Sequence, residues 1–235
     1  MNAESIRVQT GALSFSAPRN VLFTVITGTL ALISAILALG FSFQMGWAKQ
    51  LYPWEDGRLS YIWVGSMFSA YAFPLAWLAI KGTPRLAWSG MLALALTAFG
   101  LALHFYLVAG RLPESELRSY SVGAAFAGLF FAGMAFWTWR SPVYDDSKLT
   151  PPWLRFCVFA PVVLIVSIAA VLLLVQFPGI FPWPLKPETS VMFGIIFAFS
   201  GFYHAFTVFQ PGMAARQRAT IGLCGVQPGI DFPLF

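Results

Sequence analysis

The chain has 235 residues, of which 58% are hydrophobic and only 10% charged. That balance excludes a soluble globular domain, because so much apolar surface cannot be hidden inside a protein of this size and must be solvated by lipid. The net charge of +5 comes from 14 Lys and Arg scattered singly along the chain, which offers no phosphate-binding stripe and argues against a nucleic-acid partner.

The first 19 residues are polar and carry Arg7 and Arg19 ahead of a long apolar run. The run lacks the short apolar region and small-residue cleavage site of a signal peptide, so it reads as a retained first span. A span needs about 20 apolar residues to cross a hydrocarbon layer of roughly 30 Å. Six segments qualify, at 20–45, 60–80, 86–109, 119–139, 155–177 and 189–209. All must be helical, since open strands would leave backbone groups unpaired in lipid. The expected class is therefore an all-α polytopic membrane protein of about six spans, with membrane lipids as its surroundings and the inner or plasma membrane of a bacterium as its location.

Between the spans, Arg7, Arg19, Lys81, Arg85, Arg140, Lys148, Arg155, Arg216 and Arg218 fall on one side, and Lys49, Arg58, Arg111, Arg118 and Lys186 on the other. Nine against five places both the N- and C-termini in the cytoplasm.

Two distant junctions resemble each other. LYPWEDGRLS begins at Leu51 and IFPWPLKPETS at Ile180, and both lie on the non-cytoplasmic side in this topology. A shift of 129 residues pairs Pro53 with Pro182, Trp54 with Trp183, Gly65 with Gly194, Phe68 with Phe197 and Ala76 with Ala205. Tyr52 with Phe181 and Ser60 with Thr189 continue the match conservatively. A parallel internal repeat is expected, because a period of four spans leaves both copies facing the same way. The expected divisions are a cytoplasmic segment 1–19, a four-helix repeat 20–140, a linker 141–153, a partial second repeat 154–209 and a cytoplasmic tail 210–235. The partner of Arg140 would lie near position 269, beyond the last residue of this sequence, so the second copy reads as incomplete, with the tail either truncated, the favoured reading, or packed against the cytoplasmic surface. Within the tail only 219–226 is apolar, too short to cross.

The sequences PWEDGRLS and PWPLKPETS, each followed by a Gly, resemble the duplicated Pro-Trp-x-Leu-x-Pro junctions of uncharacterised bacterial multipass membrane proteins. The resemblance covers both junctions and the helices after them, roughly a third of the chain. The first copy departs from it, with Glu55, Asp56 and Gly57 in place of Pro-Leu-Lys. It implies an architecture and no catalytic residues.

Chemistry is sparse. The span cores hold essentially no Asp, Glu, Lys or Arg, although such residues usually mark ion pathways. His104 and His204 fall near opposite faces, too far apart to share a haem or metal. No Walker loop, HExxH or nucleophile-base motif is present. The loop carboxylates Glu55, Asp56, Glu114, Glu116, Asp145 and Asp146 read as solvated caps, with Glu55-Asp56 the place to look for something specific. We therefore expect no enzyme, and no catalytic, cofactor-binding or metal-ligating residue is assigned.

Two other sets of residues stand out. Tyr52, Pro53, Trp54, Phe181, Pro182 and Trp183 suit interfacial anchoring, because Pro ends a helix and Trp prefers the membrane-water boundary. Ala124, Gly128 and Ala132, and Gly194, Ala198 and Gly201, put small side chains along one face of the fourth and sixth spans, where helices can approach closely. Such faces serve internal packing or another membrane subunit. The expected role is a non-catalytic accessory or structural component of a membrane assembly. The alternative is a small-molecule or lipid transporter with a site at the repeat interface, lined by Ser66, Ser69, Ser200 and Tyr203.

Overall fold

The computed structural model describes residues 20–54, 57–111, 116–141, 152–177 and 179–209. The chain is all-α. Its helices are α1 (Val21–Ser42), the short α2 (Gly46–Gln50), α3 (Arg58–Lys81), α4 (Trp88–Ala109, preceded by the 3₁₀ turn Pro84–Ala87), α5 (Leu117–Arg140), α6 (Pro152–Leu174) and α7 (Pro187–Phe209). Six of them are long and apolar enough to cross a membrane. Glu55 and Asp56, the N-terminal segment, most of the 141–153 linker and the tail after 209 lie outside the described residues.

Three antiparallel hairpins make up the bundle: α1 packs on α3, α4 on α5 and α6 on α7. The second and third hairpins join through α4, which also packs along α7 and is the most enclosed of the spans, while α3 of the first hairpin meets the 3₁₀ turn that precedes α4. Gly100 permits that second contact, since a Cβ there would stand 2.7 Å from Ile195 Cγ2. Most remaining apolar side chains, such as Leu32, Phe126 and Ile165, point outward, as a lipid-solvated bundle requires.

The helix ends follow local chemistry. Asn20 caps α1, its Oδ1 accepting from Phe23 N at 3.0 Å. Gly82 ends α3 in the left-handed region, and its carbonyl accepts from Asn20 N, tying the two ends of that hairpin together. Pro74 and Pro161 lie inside continuous helices, Pro74 half-buried and Pro161 exposed, both within apolar segments.

The first span stops at Ser42, short of the expected 45, and the fifth at Leu174, short of 177. The cause is the same in both. Gln44 and Gln176 adopt positive φ, 53° and 57°. Around them Met45 N bonds Gly40 O, and Phe177 N bonds Leu172 O, both at 2.8 Å, the six-to-one bond of a Schellman cap. The two caps are 132 residues apart, whereas the Pro-Trp pairs are 129 apart. The extra three residues of the first junction are accommodated in α2, which folds back so that Trp47 covers Gly40.

At the 132-residue shift the environments of α1 and α6 correspond. Ala38 and Ala170 are buried, as are Phe41 and Leu173, while Leu32, Leu164, Ile36 and Ile168 are exposed. Gly65 and Gly194 each bring their helix against the preceding one. A Cβ on Gly65 would meet Ser42 Oγ and stand 2.9 Å from Ser42 N, and one on Gly194 would stand 3.0 Å from Leu174 N. Ser42 and Leu174 are themselves 132 residues apart.

Candidate functional site

Both Pro-Trp junctions lie at one end of the bundle, and the structure brings them together. The first places Tyr52 in the core, edge-on to Phe41 at 6.3 Å and to Tyr61 at 5.4 Å between ring centroids. Trp54 follows, packed on Tyr52, His104 and Phe105. The second places Phe181 edge-on to Trp63 of α3 at 5.1 Å and against Phe193 of α7. Trp183 packs on Phe181 and donates from Nε1 to Ser60 Oγ at 3.1 Å. Ser60 is wholly buried at the start of α3, so this bond joins the second junction to the helix that follows the first.

The result is an aromatic plug with contributions from all seven helices. Phe41 stacks on Phe68, Trp63 on Phe197, and Phe105 tilts against Tyr120, whose hydroxyl donates to Gln50 O at 3.1 Å. Ring pairs of these geometries each contribute about 0.5–1.5 kcal/mol beyond the area they bury. Trp54 Nε1 and Trp63 Nε1 are buried without a hydrogen-bond partner among the described residues. Four of the six residues expected as interfacial anchors pack inside the bundle: Tyr52 is in the core, and Trp54, Phe181 and Trp183 are partly buried against one another's helices.

The small-residue stripes face inward. A Cβ on Gly128 would stand 2.7 Å from Phe99, so Ala124, Gly128 and Ala132 lie along the seam of α5 with α4. Gly194 meets Leu174 and Gly201 meets Val166 and Ser167, so with Ala198 they line the seam of α7 with α6. Two glycines not singled out from sequence, Gly123 and Gly133, face outward on α5, with open space where a Cβ would stand.

The histidines occupy opposite ends. His104, buried beside the plug, donates from Nε2 to the carbonyl of Glu188 in the first turn of α7, at 3.1 Å. The assignment follows from the partner, since a carbonyl can only accept. His204 stacks on Phe159 near the start of α6, and its Nδ1 is buried without a partner among the described residues. Two of the four hydroxyls expected at a mid-membrane site turn back on their own helix: Ser66 donates to Trp63 O at 2.7 Å and Ser69 to Gly65 O at 3.1 Å. Between α3 and α7, Trp63 stacks on Phe197.

Two cavities open at the plug end, and neither is lined by Ser66, Ser69, Ser200 or Tyr203. One, of about 510 Å³, lies under the second junction between Leu173, Phe181, Trp183 and Ser190. Ser190 Oγ donates into the end of α6, to Leu173 O at 2.8 Å. The other, of about 460 Å³, lies between α4 and the ends of α6 and α7. It is lined by His104, Arg111, Gln176 and Glu188 with Leu107, Val108, Pro187 and Val191. Sequence reading missed this cluster, because its members come from three helix ends and the signal was only a set of isolated polar residues at the margins of apolar runs. Among the described residues, no three His, Cys, Asp or Glu side chains gather where they could hold a metal ion.

Compared with known proteins, the chain matches no family model, no curated protein and no solved structure.

Proposed function

We propose that this is a non-catalytic integral membrane protein, an accessory or structural component of a membrane assembly, built from a duplicated helical hairpin. The aromatic plug carries the reading. The most distinctive residues of the sequence, the two Pro-Trp junctions, are used in packing against each other's helices, with Trp183 hydrogen-bonded to buried Ser60. Such packing suits a rigid scaffold. The matched Schellman caps and the matched close approaches of Gly65 and Gly194 support the duplication. The nine-to-five split of Lys and Arg read from the sequence supports a cytoplasmic N-terminus, and Lys81 over Trp77 and Arg140 over Phe136 fit interfacial cations at the end away from the junctions. Resemblance of the junctions to those of bacterial multipass proteins supports a bacterial inner membrane.

With both small-residue stripes lying on internal seams, the outward face of α5 around Gly123 and Gly133, where nothing stands within 4 Å of an added Cβ, is the surface we assign to another subunit. Mild-detergent extraction of the tagged protein tests this. The expected result is a stoichiometric partner that survives size exclusion, and recovery of a bare monomer would refute the assembly role. A second reading, a transporter, is favoured by one observation: the 460 Å³ cleft lies between α4 of the first unit and the α6-α7 hairpin of the second, the kind of interface where duplicated transporters bind substrate.

A further inference from the structure

The cleft between α4 and α7 has an unusual wall. Arg111 stands just past the end of α4, Gln176 occupies the cap of α6, and Glu188 lies in the first turn of α7. All three are at the ends of spans, at the depth of lipid headgroups. Arg111 and Glu188 carry opposite charges into one cavity, yet no ion pair joins them and neither charged group has a hydrogen-bond partner among the described residues. His104 adds a further polar group, because its Nε2 is engaged by the Glu188 carbonyl and its Nδ1 remains an acceptor.

We propose that this cleft binds the headgroup of a phospholipid bearing a primary amine, its phosphate on Arg111 and its ammonium on Glu188. A separated cation and anion lining one cavity match a zwitterion, which satisfies both without bringing them together. The cavity, about 460 Å³, is within the range of small-ligand sites. Two features select among zwitterions. The Glu188 carboxylate and the Gln176 side-chain carbonyl oxygen are acceptors suited to the N–H donors of a primary ammonium. A quaternary ammonium would call for an aromatic cage, and no Phe, Tyr or Trp lines the cleft. An anionic headgroup without an amine would face Glu188 with no compensating charge. Leu103 and Leu107, exposed on the outward side of α4, supply an apolar track for an acyl chain.

The inference holds for a scaffold with a bound lipid and for a transporter alike. Its chemistry is shared by a water-soluble zwitterion, so the test separates the two sources. The purified, delipidated full chain would be titrated in detergent with phosphatidylethanolamine, phosphatidylcholine and phosphatidylglycerol and read by native mass spectrometry. Phosphatidylethanolamine should bind about tenfold more tightly than either other lipid, the weight of one charge-assisted hydrogen bond. Arg111→Gln should weaken all three about tenfold, whereas Arg111→Lys should retain most of the affinity. Glu188→Gln should abolish the preference for phosphatidylethanolamine while keeping the backbone carbonyl that holds His104. Equal binding of the three lipids to the unaltered chain, or a preference that survives Glu188→Gln, would overturn the proposal. Displacement of the lipid by glycerophosphoethanolamine at matching concentration would overturn the lipid assignment in favour of a soluble zwitterion. Unchanged melting midpoints of the variants would tie the losses to the cleft.

Discussion

Replacing Gly65 with Ala should destabilise the protein, while the same change at Gly133 should not. At Gly65 the new methyl would meet Ser42 Oγ and stand 2.9 Å from both Ser42 N and Ala38 O. Two of these atoms are backbone, which cannot rotate aside, so α1 and α3 must separate near their plug ends. Overpacking of this kind costs up to about 3 kcal/mol. The helix gains about 1 kcal/mol from losing a glycine, leaving a net loss of up to about 2 kcal/mol. At Gly133 nothing lies within 4 Å of the added carbon, so only the gain of about 1 kcal/mol operates. Thermal unfolding in a mild detergent, followed by the fluorescence of the nine tryptophans, reads both. The expected order of midpoints is Gly133→Ala at or above the unaltered protein, with Gly65→Ala clearly below it. A Gly65→Ala midpoint equal to that of the unaltered protein would refute the close approach of α1 and α3. Gly194→Ala should behave like Gly65→Ala, since its methyl would stand 2.8 Å from Leu174 Cγ and 3.0 Å from Leu174 N.

Trp183→Phe keeps a ring but removes the bond to Ser60, and a double-mutant cycle with Ser60→Ala should give a coupling of about 0.5–1.5 kcal/mol. No measurable coupling would separate the two junctions. His104→Leu removes the side-chain bond to the Glu188 carbonyl at the α4-α7 seam and should cost about 0.5–1.5 kcal/mol, detectable as earlier release of α7 in hydrogen exchange. Thr27→Val should be close to neutral in the same melting assay, because the buried Thr27 hydroxyl back-bonds within its own helix, to Phe23 O at 2.7 Å and Thr24 O at 3.4 Å. A loss above about 2 kcal/mol would mean that Thr27 has a further partner.

The six spans were legible because unbroken apolar length is the constraint that lipid imposes most directly. The Pro-Trp junctions were legible too, as helix breaks with amphipathic rings. Their joining was not. The Trp183–Ser60 bond spans 123 residues and His104–Glu188 spans 84, and neither leaves a periodic trace. The correspondence of α1 with α6 was hidden for another reason. It runs at a 132-residue shift against 129 at the junctions, and in two runs of Leu, Ile and Val such a slip carries little sequence signal. Gln44 and Gln176, at positive φ where glycine is usual, were the marks that could have revealed it. The short α2 escaped notice because five residues carry no period. The cleft, drawn from single residues at three helix ends, becomes visible only once α4 and α7 are side by side.

Whether the plug is a fixed seal or a moving gate decides between scaffold and transporter. The direct measurement is the distance between spin labels placed at the exposed positions Lys49 and Lys186, one on each junction, in lipid nanodiscs after replacement of Cys157 and Cys224. A fixed seal gives one narrow distribution, unchanged by added lipid or solute. Two separated populations that exchange weight with conditions would contradict the scaffold and make the junctions a gate.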